Sequence, residues 1–153
     1  MDAYQRLKEL GIELPQAPEA RALFIPVKIV GNMAYVSGHG PSIDGKYICT
    51  GKVGKDVTIE QANKAASLVA INTLAALHKS LGDLNMIKSV VKVLGFVASA
   101  EGFNEQPIVI NGFSQVLIDV FGENGKHARS AIGVSELPMG MSVEVESVFE
   151  LST

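Results

Sequence analysis

The sequence predicts an α+β domain, and three observations carry that prediction. Two runs of helical period, about 58–80 and 107–121, stand among shorter runs of strand period. Their order is strand–strand–(strand)–helix–strand–helix–strand–strand, which groups strands rather than alternating them strictly with helices. In the last run Val143, Val145, Phe149 and Leu151 alternate with Glu144, Glu146 and Glu150, as in a strand buried on one face.

Each element has a local reason. Residues 2–10 predict a short helix with Leu7 and Leu10 on one side and Gly11 as its stop. A connection through Pro15 and Pro18 leads to a strand over Leu23–Val30. Gly31-Asn32 is a two-residue hairpin turn, and Met33–Ser37 returns from it. A glycine-rich stretch, 38–55, holds a short strand near Tyr47–Thr50. The first long helix spans Thr58–Ser80, capped by Thr58 or Asp56 and ended by Gly82. Its inner face carries Ala62, Ala65, Ala66, Val69, Thr73, Ala76 and Leu77. Met86–Ser99 is a strand. Pro107–Phe121 is the second helix, with Ile108, Gly112, Val116, Val120 and Phe121 inward and Gly122 and Gly125 ending it. Strands over Ala128–Glu136 and Ser142–Leu151 complete a single domain, 1–153, in which 1–20 is an N-terminal extension.

The bulk numbers limit function. At 153 residues, 47% hydrophobic and 19% charged, the chain supports one folded core. Thirteen basic and 16 acidic side chains give a formal charge of −3, without the basic excess of a nucleic-acid binder. The one cysteine, Cys49, excludes an intramolecular disulfide and is read as an apolar filler. The first residues lack a signal-peptide core, and no run of about 18 apolar residues offers a membrane span. The expectation is a cytoplasmic protein with no membrane partner.

Charge placement singles out the stretch 127–146. Arg129 interrupts one apolar strand, and Glu144 and Glu146 interrupt the next. A charge within a strand is costly unless paired or used. If the helices cover Ile132 and Val134 on one strand and Val143 and Val145 on the other, Arg129 and Glu144 share the helix-free face. The Met86–Ser99 strand is apolar on both sides, with Val91, Val93 and Val97 one way and Val90, Leu94, Phe96 and Ala98 the other. Two helices cover one face of such a sheet, so the second face predicts a homo-oligomer with polar pockets along its seam.

Four stretches then resemble the RidA/YjgF family, also labelled L-PSP-type endoribonucleases. They are Gly31-Asn32-Met33 through Ser37-Gly38; Leu81-Gly82-Asp83 with Val91-Lys92-Val93; the segment opened by Asn111; and Ala128-Arg129-Ser130 followed by Leu137-Pro138 and Val143-Glu144-Val145-Glu146. The resemblance covers about 23–150 and fits a longer subgroup with an N-terminal extension. It implies a chorismate-mutase-like mixed sheet of about six strands, two long helices on one face, and a homotrimer with ligand sites between subunits. It also implies that the last strand is inserted between earlier ones, where local reading alone pairs it with its predecessor.

The resemblance further implies hydrolysis of reactive 2-imino and 2-enamino acids to 2-oxo acids and ammonia. Arg129 matches the arginine that holds the substrate carboxylate, a fit of fork to carboxylate. Glu144 matches the glutamate that orients water, while Glu146 is structural. Ser37, Gly38, Phe24, Asn111, Ala131 and His39 are the expected lining. No metal and no organic cofactor is called for. The chain departs from the pattern at Phe24, often tyrosine; at His39, often glutamine; at His127, often proline; and at Ala131, often cysteine. Both histidines are read as pocket-lining or hydrogen-bonding groups. Two other readings stand beside this one: a non-catalytic trimeric binder of small carboxylates, and an endoribonuclease.

Overall fold

The computed structural model describes residues 2–19 and 23–153. The expected edge of the N-terminal extension, at residue 20, lies outside them. The elements are α1 (Ala3–Glu9), β1 (Val27–Val30), β2 (Met33–His39), β3 (Ser42–Ile43), β4 (Lys46–Tyr47), α2 (Ile59–Leu81), β5 (Ile87–Ala98), α3 (Gln106–Phe121), β6 (Ala128–Val134) and β7 (Val143–Leu151). The sheet has five strands in the order β1-β2-β7-β5-β6, and β3 and β4 form a separate two-stranded hairpin. The sheet expected with about six strands thus has five, the hairpin standing apart from it, and the strand expected near Tyr47–Thr50 ends at Tyr47. β7 is inserted between β2 and β5, antiparallel to both. β6 pairs with β5 in parallel, which requires a crossover, and α3 provides it.

Local chemistry explains the boundaries. Gly31 takes φ 59° in the two-residue turn that sets Val30 opposite Met33. β1 starts only at Val27, because Pro26 has no N–H to give a ladder. Thr58 caps α2 in a full capping box with Gln61, and Gly82 ends it in the left-handed region. α2 lies over β1, β2 and β7, and α3 lies over β5 and β6. The two helices meet at Gly112, where a Cβ would run into the Asn63 carbonyl of α2. Asn63 Nδ2 donates to the Ile108 carbonyl at 2.8 Å, and Ser67 Oγ donates to the Gly112 carbonyl at 3.0 Å. The predicted inner face of α2 is buried throughout. On α3 the buried set is Val109, Ile110, Phe113, Val116, Leu117 and Val120, whereas Ile108 is exposed.

One face of the sheet is therefore covered by helices and the other is open. Val93 and Val97 of β5 and Val145 and Phe149 of β7 are fully buried on the covered face. The open face carries half-buried Leu94 and Phe96 with exposed Tyr35 and Ile132. β5 does not alternate cleanly. Its register shifts between Val90 and Lys92, so Val90 pairs with buried Phe149 and Val91 is turned out. The bulge moves Val90 to the side of Val93, correcting the simple parity expected for this strand. Among the described residues no helix is long and apolar enough to cross a membrane.

Candidate functional site

The expected site residues fall into two clusters on opposite faces of the sheet. Arg129 pairs in register with Val93, Ala131 with Gly95 and Gly133 with Val97. A Cβ on Gly95 would meet the Ile110 side chain of α3, and one on Gly133 would meet Gln106. Arg129 and Ala131 therefore lie on the helix-covered face. Glu144 pairs with Phe96 and Glu146 with Leu94, on the open face. The expectation that Arg129 and Glu144 share the helix-free face is corrected. Parity separates the two sides of β6 but not which one α3 covers. Ile132, taken for the inward residue, is 44% exposed beside Phe96.

The first cluster joins β6, α3 and the turn between them. Arg129 Nη1 donates to Asn111 Oδ1 at 2.9 Å and to Ser114 Oγ at 3.1 Å. Asn111 and Ser114 lie three residues apart, hence on one side of α3. Ser114 Oγ also meets His127 Nε2 at 2.8 Å, and His127 Nδ1 donates to the Gly125 carbonyl at 2.7 Å. Burial lowers the His127 pKa, with the Arg129 charge adding to that against the opposing Gly125 bond. The ring is neutral at pH 7. Among the described residues Arg129 forms no ion pair, so its charge is half-buried and offset only by neutral acceptors. Ser114 was not expected from the sequence, and its only signal is a hydroxyl three residues after Asn111.

The second cluster joins β2, β7 and the chain entering β1. Glu144 presses on the backbone of Gly38, where a Cβ would come to 2.6 Å of Oε2. Burial raises the Glu144 pKa, and the neighbouring Glu146 charge raises it further. A carboxyl poised above its ordinary range is suited to exchanging protons with water. Beside it, Ser37 Oγ donates to the Ile25 carbonyl at 2.8 Å, and Ser37 N–H donates to the Pro26 carbonyl at 2.8 Å. These bonds hold the stretch carrying exposed Phe24 against the end of β2. His39 Nδ1 donates to the Ser37 carbonyl at 2.7 Å, and burial lowers the His39 pKa. Neutral His39 thus keeps a lone pair on Nε2. Glu146 is exposed.

Within one chain the clusters do not meet. Arg129 and Glu144 stand two strands apart and three residues apart along the sheet, roughly 14 Å in all, and face opposite ways. Surface cavities such as the one of about 530 Å³ between Ala17, Pro26 and Lys79 are not bordered by either residue. Each cluster is one wall without an opposite wall. Among the described residues no three His, Cys, Asp or Glu side chains are grouped to hold a metal ion.

Residues 4–150 match the family described as "YjgF/chorismate mutase-like, putative endoribonuclease". The chain is 39% identical over 147 residues to protein TCP17 of Trypanosoma cruzi, covering 95% of this chain and 92% of that one. The crystal structure of Atu1372 from Agrobacterium tumefaciens is 46% identical, with a TM-score of 0.91 over 98% of this chain and 92% of the other. A Shewanella oneidensis protein carrying the same endoribonuclease label is 30% identical, with a TM-score of 0.94 over 99% of this chain and 100% of the other.

Proposed function

The chain belongs to the YjgF/chorismate mutase-like family, and from that membership and its two half-sites we propose that it hydrolyses reactive 2-imino and 2-enamino acids. The observation that carries the reading is the unpaired charge of Arg129. A half-buried guanidinium with no carboxylate of its own is a seat for a ligand carboxylate.

A 2-imino acid places its carboxylate beside an electrophilic C=N carbon. Water adds to that carbon, the C–N bond breaks, and a 2-oxo acid and ammonia leave. The protein must orient the acid, place one water and move protons. Arg129 holds the carboxylate, with Asn111 keeping the guanidinium in place. Glu144, above its ordinary range, accepts a proton from the attacking water and then the hydroxyl proton of the adduct, passing each to the nitrogen so that it leaves as ammonia. Ser37, Gly38, His39, Phe24 and Ala131 shape the space around the acid. No step needs a metal or an organic cofactor.

A small acid cannot bridge two faces of one sheet, so the proposed site combines Arg129 of one copy with Glu144 of another. The apolar open face supports this association: Tyr35 is 47% exposed and Ile132 44%. A homotrimer closes such a heterologous contact into a ring. The endoribonuclease reading gains nothing from a chain of charge −3.

The test generates 2-aminoacrylate in place with a serine dehydratase and follows pyruvate release. The protein is expected to accelerate release over the spontaneous rate, and Arg129→Ala to abolish the acceleration. Equal rates with and without the wild-type protein would end the assignment for this substrate.

A further inference from the structure

The bonds behind Arg129 have only one consistent polarity. The Gly125 carbonyl accepts and cannot donate, so His127 Nδ1 carries a proton. In a neutral ring Nε2 then holds a lone pair, and Ser114 must point its hydroxyl proton at it. That leaves the Ser114 oxygen free to accept from Arg129 Nη1. The other Nη1 proton goes to Asn111 Oδ1. Both Nη1 protons are thereby used, while Nε and Nη2 have no partner among the described residues. The guanidinium is held by one corner, and its Nε–Nη2 edge is the fork left for a carboxylate. With the proton on Nε2 instead, Nδ1 would turn a lone pair on the Gly125 carbonyl, and Ser114 would accept from both Nε2 and Nη1 with its own proton left without a partner.

We propose that Ser114 and His127 are positioning residues, a relay from the Gly125 carbonyl that fixes which edge of Arg129 faces the bound acid. This rests on the reading that Arg129 holds a carboxylate. Ser114 is 8% exposed and has no other partner among the described residues, so its hydroxyl is committed to the relay. His127 acts through Ser114 and touches no ligand itself.

Two substitutions separate this role from simple anchoring of the 122–126 turn. His127→Gln places an acceptor where Nε2 stood and so keeps a partner for Ser114. His127→Asn keeps a donor for the Gly125 carbonyl but leaves Ser114 without its acceptor. The experiment titrates pyruvate into the intact protein calorimetrically and measures kcat and KM in the pyruvate-release assay. Ser114→Ala and His127→Asn are expected to weaken pyruvate binding about tenfold, with KM rising more than kcat falls, while His127→Gln stays within about threefold of wild type. Any other ranking of the two His127 variants overturns the relay. Nitrogen NMR of the wild-type protein gives a second readout independent of any variant's folding. It is expected to show His127 protonated on Nδ1 and bare on Nε2, and the opposite tautomer overturns the relay. If Arg129→Ala binds pyruvate as wild type does, the carboxylate assignment falls and the relay with it. If Arg129→Ala loses binding while Ser114→Ala and His127→Asn keep it, the relay alone falls.

Discussion

Replacing Gly38 by alanine should damage activity while sparing stability. The added Cβ would sit 2.6 Å from Glu144 Oε2, 3.0 Å from its Cδ and 3.2 Å from its Cγ. The obstruction is the far end of a side chain, not backbone, so the carboxyl can swing away. Restoring ordinary contact at 3.4 Å needs a shift of about 0.8 Å. Gly38 has no positive φ, so the backbone accepts alanine without strain. A displacement approaching 1 Å in a group that must meet water and substrate is worth roughly 10²-fold in rate. The fold should lose less than about 0.5 kcal/mol.

Gly112→Ala is the control with opposite signs. Its Cβ would strike the Asn63 carbonyl in the backbone of α2, and Ser67 Oγ lies 3.1 Å away. Two packed helices must part, at a cost of about 3 kcal/mol and a Tm lower by roughly 6–12 °C for a chain of this size. Thermal unfolding and the pyruvate-release assay, run on both variants, decide the matter. The account of Glu144 is refuted if Gly38→Ala keeps wild-type kcat, or if it melts as early as Gly112→Ala.

Two other outcomes follow from the same geometry. The folded-state pKa of Glu144 is raised, so the stability this carboxyl contributes is present at acid pH and lost as pH rises through that raised value. Glu144→Gln should therefore melt above wild type at pH 7, with the gap narrowing as pH falls through the raised value and closed below the ordinary carboxylate value in a Tm series from pH 3 to 8, while kcat falls by 10² or more, an order-of-magnitude expectation for a lost general base (~10²–10⁴). Arg129→Ala and Glu144→Gln, each inactive alone, should recover activity when co-refolded, because some seams then pair an intact Arg129 with an intact Glu144. Persistent inactivity of correctly assembled mixtures would argue against a site divided between copies.

The elements were legible where one residue type dictates the backbone. Thr58, beside Asp56 as the other candidate cap, marked the start of α2, Gly82 its end, and Gly31-Asn32 the first hairpin. The insertion of β7 between β2 and β5 was legible only through the resemblance, since nothing local distinguishes it from a hairpin with β6. Which side of β6 is covered was not legible. Alternation names two faces, and Ile132 looked inward because it is apolar, yet the parallel pairing with β5 turns it to the open side. The bulge at Val90–Lys92 was hidden for a related reason, as a run of valines fits either phase. Within the candidate site the charged groups announced themselves, and Ser114 did not. A serine in the middle of an apolar helix carries no period or motif, and its role depends on a histidine 13 residues away.

The opposite placement of Arg129 and Glu144 also answers a difficulty that a shared face would have created. Two such charges in contact at about 4 Å attract by roughly 4 kcal/mol near a protein surface. On one face of adjacent strands, as a hairpin of β6 with β7 would place them, folding alone would pair them, and a substrate carboxylate would have to displace Glu144 before reaching the fork. On opposite faces neither can neutralise the other within a chain. Arg129 settles instead on Asn111 and Ser114, whose neutral oxygens hold it without matching its charge. Glu144 settles against Gly38, where burial and Glu146 keep its proton affinity high. On the proposed reading only assembly brings the two into one cavity, at a distance set by the seam between copies and not by their mutual attraction. On the same reading the pair acts only in the oligomer, and neither half-site is complete in a single copy.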